Sequence, residues 1–217
     1  SLPPVPNAQP VQGKAETKPN RIFFAKLQQP EAVPLLNFID VGPQDKAISR
    51  ILALRESLFI LKEDGVYRLT GSNGNYSVDL FDESTKIIAP DTAVVLNNQI
   101  FCLTNLGIVT ISDTGVSIIS QPIATTIQLL SSSNYNYKFT SFGVSYENDS
   151  SYLLWMPSSV ADNVATVAYR YNTITQTFTT FKMAKKCGLV NPGDDKLYLG
   201  PNDVNFIDRE QIGRAHV

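Results

Sequence analysis

Along most of the chain the apolar residues come in short runs separated by Gly, Asn, Asp and charged positions, the spacing of strands and tight turns. Two sets of four strands are predicted, at 50–54, 57–62, 65–70 and 76–81, then at 92–96, 99–104, 107–112 and 115–120. In each set the second strand is apolar at consecutive positions, as in Leu58-Phe59-Ile60-Leu61. A strand with one solvated face would alternate instead, so these strands are expected to be buried on both faces of their sheets. A buried helix is the competing reading of such runs. The hairpin signals between them, and the lack of any sustained helical period, favour strands.

The two sets are copies of one another. Residues 54–69, LRESLFILKEDGVYRL, align without gaps on residues 96–111, LNNQIFCLTNLGIVTI, at a spacing of 42. Leu54 matches Leu96, Leu58 matches Ile100, Phe59 matches Phe101, Leu61 matches Leu103 and Gly65 matches Gly107. Val66 matches Ile108, and Leu69 matches Ile111. Paired glycines mark the same turn, because glycine adopts the positive φ that tight hairpins demand. Four strands per period is the pattern of a β-propeller blade, so the expected fold class is all-β, a partial β-propeller of four-stranded antiparallel blades.

A looser third unit runs through 142–146, 152–156, 166–171 and 177–181, and is placed near 140–181. A fourth, near 187–208 and truncated, is read in 188–190, 196–199 and 204–207. Ile123, Ile127 and Leu130 have helical spacing after Pro122, which predicts a short helix near 123–130. Each repeat completes its core only against a neighbour, so an incomplete array is expected to leave apolar faces and edge strands uncovered.

The ends read differently from this body, 21–211. Residues 1–20 carry five prolines and little apolar periodicity, as in a linker or extended arm. Residues 212–217, Ile-Gly-Arg-Ala-His-Val, match the translation of a common sequencing adapter, ATC GGA AGA GCA CAC GTC, and Gln211 fits the AG that precedes it. They are read as adapter read-through in a metagenomic fragment, with an ordinary polar tail as the alternative. His216 is the single histidine, so on that reading the natural part has none.

Composition narrows the function classes. The 217 residues are 43% hydrophobic, enough for a substantial core. Lys plus Arg number 18 against 20 for Asp plus Glu, so no strong field gathers phosphates or anionic lipid. The longest apolar runs fall short of the ~20 residues of a membrane-spanning helix. The opening residues resemble no signal peptide.

Chemistry is sparse. Without a histidine in 1–211, the Ser-His-Asp and Cys-His systems and His-containing zinc sites are excluded, and no enzymatic activity, catalytic residue, cofactor or metal site is expected. Gly71-Ser72-Asn73-Gly74-Asn75 is Gly-rich but precedes a strand and lacks a phosphate-binding Lys, so it reads as a loop. Ser112-Asp113-Thr114-Gly115 faintly resembles a sialidase Asp-box, with Ile111 where that motif has Ser or Thr; a hairpin turn is preferred. Asp194-Asp195 reads as a solvated turn rather than a calcium loop. Trp155 and tyrosines 135, 137, 169 and 171 read as packing residues, with sugar stacking as the alternative. Cys102 and Cys187 read as buried free thiols, with a disulfide between them as the alternative.

A resemblance adds to this. Asn20-Arg21-Ile22-Phe23-Phe24-Ala25-Lys26, then Pro30-Glu31-Ala32 and Asn37-Phe38-Ile39-Asp40-Val41-Gly42, resemble a recurring stretch of podovirus-type tail nozzle proteins, also called stabilisation or tail tubular B proteins. In that family it precedes a blade similar to Ile51–Leu54 followed by Leu58–Gly71, and the similarity spans about residues 20–120. The resemblance implies a structural virion protein of a phage tail, assembled in the host cytoplasm. Its implied partners are neighbouring tail and portal-adaptor proteins and copies of itself in a ring, with DNA passing only transiently through the channel. A cellular propeller used as a protein- or glycan-binding module is the alternative, and a carboxylate-dependent glycosidase a third reading.

Overall fold

The computed structural model describes residues 18–72, 74–133, 137–159, 161–201 and 207–209. Residues 1–17 of the Pro-rich segment and 210–217, including the adapter-like end, lie outside them, as do Tyr135 and the expected strand residues 204–206. The fold is mostly β, in four antiparallel sheets of two, four, four and six strands, with little helix.

A small hairpin, β1 (Arg21–Phe23) and β2 (Phe38–Asp40), comes first. The first large sheet is the meander β3 (Ile48–Leu54), β4 (Ser57–Lys62), β5 (Val66–Ser72) and β6 (Asn75–Asp82). The second repeats it with β7 (Ile87–Leu96), β8 (Gln99–Thr104), β9 (Gly107–Ser112) and β10 (Gly115–Ile118). A 3-10 turn (Gln121–Ile123), α1 (Ala124–Ser133) and α2 (Tyr137–Thr140) follow. The predicted helix is thus present, and Ile127 is buried in the core beside Tyr137.

The duplicated stretches share one local structure. Leu58 pairs with Leu69 and Leu61 with Val66 in the first sheet; Ile100 pairs with Ile111 and Leu103 with Ile108 in the second. These are the same pairs shifted by the repeat. Register this faithful follows from the two-residue hairpin loops, since a slip of one residue would turn every buried side chain outward. Gly107, directly after one such loop, has φ +104, and a Cβ there would stand 2.2 Å from the Ser120 hydroxyl that accepts the Ile108 N–H.

The sheets lie face to face in a row. Phe59, Leu61 and Val66 of the first meet Ile100, Cys102, Val109 and Ile111 of the second. The opposite side of the second sheet, with Phe101, Leu103 and Ile108, meets Tyr152, Leu154, Tyr169 and Tyr171 of the third. Both sides of β8 are therefore covered, as its unbroken apolar run requires. Outside the first sheet, Val41 and the β1–β2 hairpin cover Ile60, Tyr67 and Leu69.

The third sheet departs from four strands. It runs β11 (Phe142–Tyr146), β12 (Ser151–Met156), β13 (Ala165–Asn172), β14 (Thr177–Asn191), β15 (Lys196–Pro201) and β16 (Asp208–Arg209). The expected third and fourth units are joined because β14 is continuous. Its two halves nevertheless have different partners: residues 177–185 pair with β13, and 185–191 with β15, the change falling at Lys185. Strands β3, β7, β11 and β14 lie side by side in that order. Among the described residues no closed barrel or closed propeller is formed.

Candidate functional site

Asp113 shows what the isolated acidic residues do. It sits in the β9–β10 turn, where the Ser112 hydroxyl receives the Thr114 N–H at 3.4 Å. The Asp113 carboxylate points across to the first sheet, 3.3 Å from Arg55 and 3.7 Å from Arg68. Arg68 in turn donates through Nε to the Ser57 hydroxyl at 3.0 Å. The Asp-box-like sequence is thus an ionic clamp between adjacent sheets.

A related Arg–Ser arrangement lies within the third sheet. Arg170 donates through Nε to the Ser151 hydroxyl at 3.0 Å and pairs with Asp149. Ser57 and Ser151 both open the second strand of their sheets, and each Arg lies opposite the residue two further along, Phe59 or Leu153. Sequence reasoning missed this pair because the intervening loops differ in length. The serine that opens β4 and β12, absent from β8, was the available signal.

Lys62 was also missed. Its side chain is fully buried at the end of β4, yet its ammonium donates to the Val41 carbonyl at 2.6 Å and to that of Pro43 at 3.2 Å. Asp64 lies 3.6 Å away and accepts from the Tyr67 hydroxyl at 2.8 Å. Burial, then the Asp64 hydrogen bond, pushes the Tyr67 phenol up to about 12. A buried ammonium is tolerated only when its protons are taken up. Here they bind the chain after β2 to the first sheet.

The other candidates resolve as turns or packing. Asp194 accepts the Tyr198 hydroxyl at 2.7 Å and lies 3.5 Å from Arg209; the Tyr198 bond leads in holding its carboxyl below the usual range. No cluster of three metal-ligating side chains occurs among the described residues. Of the expected loop 71–75, Gly71 (φ +112) and Ser72 lie in β5 and Asn75 in β6, with Ser72 and Asn75 as the last pair before the turn. Tyrosines 137, 169 and 171 are buried between the second and third sheets. Cys102 and Cys187 are both free, which removes the disulfide alternative. Burial pushes the Cys102 thiol up to about 12, whereas Cys187 is exposed, against the expectation of two buried thiols.

A largely apolar cleft lies on the far side of the third sheet. The cleft, of about 310 Å³, has a floor of Leu153, Trp155 and Ala168, a wall of Leu197 and Leu199, and a lip of Phe181 and Met183. Trp155 is stacked on Phe142, centroids 5.1 Å apart and planes 4° apart, and its indole N–H is buried without an acceptor. At 2% exposure the ring presents almost no face to a sugar. The carboxylates at the rim are already paired, Asp149 with Arg170 and Asp208 with Lys185. Asp40, Asp82, Asp162 and Asp194 are all shifted to lower pKa, so none of these four is a carboxyl held protonated for acid catalysis.

No family model matches the chain, and no curated protein is significantly similar to it.

Proposed function

We propose that this chain is a β-propeller segment of a virion structural protein, of the tail nozzle or stabilisation type, acting through rigid packing rather than chemistry. The observation that carries the propeller reading is the sideways succession of β3, β7, β11 and β14. In a propeller the innermost strand of each blade stands next to that of the following blade, around the axis. The partner change within β14 fits the same plan: its first half closes one blade and its second half opens the next.

Support for the phage reading comes from how the resembling stretches are used. Residues 20–42 and 51–71 fold against each other, Ile22, Ile39 and Val41 packing on Ile60 and Tyr67, with Lys62 holding the Val41 carbonyl. A ring around a DNA channel demands stiffness and lateral contacts, and near-neutral charge avoids strong retention of phosphate. Mass spectrometry of purified virions, from a phage whose genome encodes this sequence beside portal and tail genes, tests the proposal. Peptides of the chain at tail-protein stoichiometry are expected. Virions that lack it, with the protein recovered from uninfected cells, would overturn the assignment.

A further inference from the structure

The loop between β1 and β2 and the β5–β6 hairpin enclose a groove of about 670 Å³, within the size range of binding clefts. Phe24, Leu27, Pro30 and Asn37 line it from the loop, and Tyr76 from the hairpin. Phe24 and Tyr76 meet edge to face, with ring centroids 5.1 Å apart and planes at 71°. The loop is held in shape by its own backbone: Lys26 donates its N–H to the Ala32 carbonyl at 2.9 Å, and Ala32 to that of Gln29 at 3.0 Å. Its apolar side chains are nevertheless uncovered, Leu27 at 77% exposure and Leu35 and Leu36 at 85% and 86%. Exposed leucines occurring singly need no explanation, but several on one loop mark a surface that is used.

The lining selects the kind of occupant. Pro30 and Pro34 offer no N–H, so a strand laid along the loop would lack partners. An aromatic pair beside a proline, with the Asn37 amide as a donor, suits a polyproline-II segment, which packs its rings on aromatic side chains. Lys26 alone among the lining residues is charged, which favours an uncharged segment.

The chain carries such a segment. It begins Ser1-Leu2-Pro3-Pro4-Val5-Pro6, and residues 1–13 have no charged side chain. Polyproline II repeats every three residues, so Pro3 and Pro6 would share one face. Reach is sufficient. Twelve residues separate Pro6 from Lys18, a span of about 37 Å in that conformation. Only six separate Lys18 from Phe24 in the groove, at most about 20 Å of chain.

We infer that the Pro3–Pro6 stretch docks into the groove between the β1–β2 loop and the β5–β6 hairpin of its own chain. Tethering supplies the occupant at an effective concentration of about a millimolar, so a site of modest affinity stays filled. The inference stands apart from the virion reading, since it concerns only the first sheet and its hairpin.

Fluorescence anisotropy of a labelled peptide of residues 1–13 tests it on the full chain. Pro3→Gly, Pro4→Gly and Pro6→Gly together remove the preformed shape of the arm and free the groove. This variant is expected to bind the peptide about tenfold more tightly than the wild-type chain, the ratio for a groove filled by its own arm roughly nine times in ten. Adding Tyr76→Ala, or Leu27→Asp at a side chain already turned to solvent, is expected to abolish binding while the chain stays β-rich by circular dichroism. Equal affinity of the variant and the wild type, no binding to either, or binding indifferent to both groove substitutions would each overturn the inference. So would a wild-type dimer in sedimentation that the proline changes dissociate, because the arm would then occupy a second copy.

Discussion

At the scale of single residues, buried polar groups do the fastening. Lys62 is surrounded by the Val41 and Pro43 carbonyls and by Asp64, all arranged for its charge. Removing one partner of such a set leaves the others buried and unpaired, which costs about 3–5 kcal/mol. Lys62→Met is therefore expected to lower the urea midpoint strongly, and Asp64→Asn in the same chain to add less than its separate cost. Equal, additive losses would show that the groups act independently. Tyr152 plays a similar part between sheets, its hydroxyl donating to the Thr92 carbonyl at 2.9 Å in a fully buried setting. Tyr152→Phe should cost about 1–3 kcal/mol in equilibrium unfolding. None of this was legible in the sequence, since a lysine after Leu58–Leu61 reads as a solvated strand end. What identifies it is the distant chain at Val41–Pro43 that folds over it.

At the scale of elements, local patterning was highly informative wherever the turn chemistry was local. The strands 57–62, 99–104, 107–112 and 142–146 fall where the apolar runs place them. Strand β7 begins earlier than expected, because Thr92 carries the chain through an irregularity: its hydroxyl accepts the Leu103 N–H at 2.9 Å and donates to the Ala89 carbonyl at 2.6 Å. A side chain substituting for a ladder bond leaves no periodic trace. Strand β14 was read as two pieces for a sound reason, since its exposure pattern belongs to two partners.

The loop before β13 titrates. Asp162 accepts from the Thr166 hydroxyl at 2.7 Å, and from the Ser158 and Ser159 N–H groups. The Thr166 bond leads in pulling its carboxyl far below the ordinary aspartate value of 3.8. A carboxyl depressed on folding stabilises above its unfolded pKa, and that contribution is lost as pH falls through the folded one. Stability is thus expected to decline below about pH 4. Asp162→Asn should flatten that acid limb; an unchanged limb would show that the loop does not hold the charge in solution.

At the scale of the whole molecule, the duplication around Gly65 and Gly107 was the most informative passage of the sequence, because it implied sheets that need neighbours on both sides. The packing of Phe59 against Cys102, and of Phe101 against Tyr152, is the physical content of that inference. The cleft was not legible, because its floor and wall come from β12, β13 and β15 and meet only after β14 has changed partners. Thiol chemistry gives a simple check of the packing. In the native protein a disulfide reagent should titrate Cys187 promptly and Cys102 only after denaturation. Two equally fast thiols would mean that the space between the first two sheets is open.

The most direct test of the stacked-sheet account is amide hydrogen exchange resolved strand by strand. A middle sheet covered on both faces should make β8 among the slowest-exchanging segments of the chain, with β6 and β10 at the sheet edges exchanging far sooner. Exchange in β8 as rapid as in β6 and β10 would contradict it.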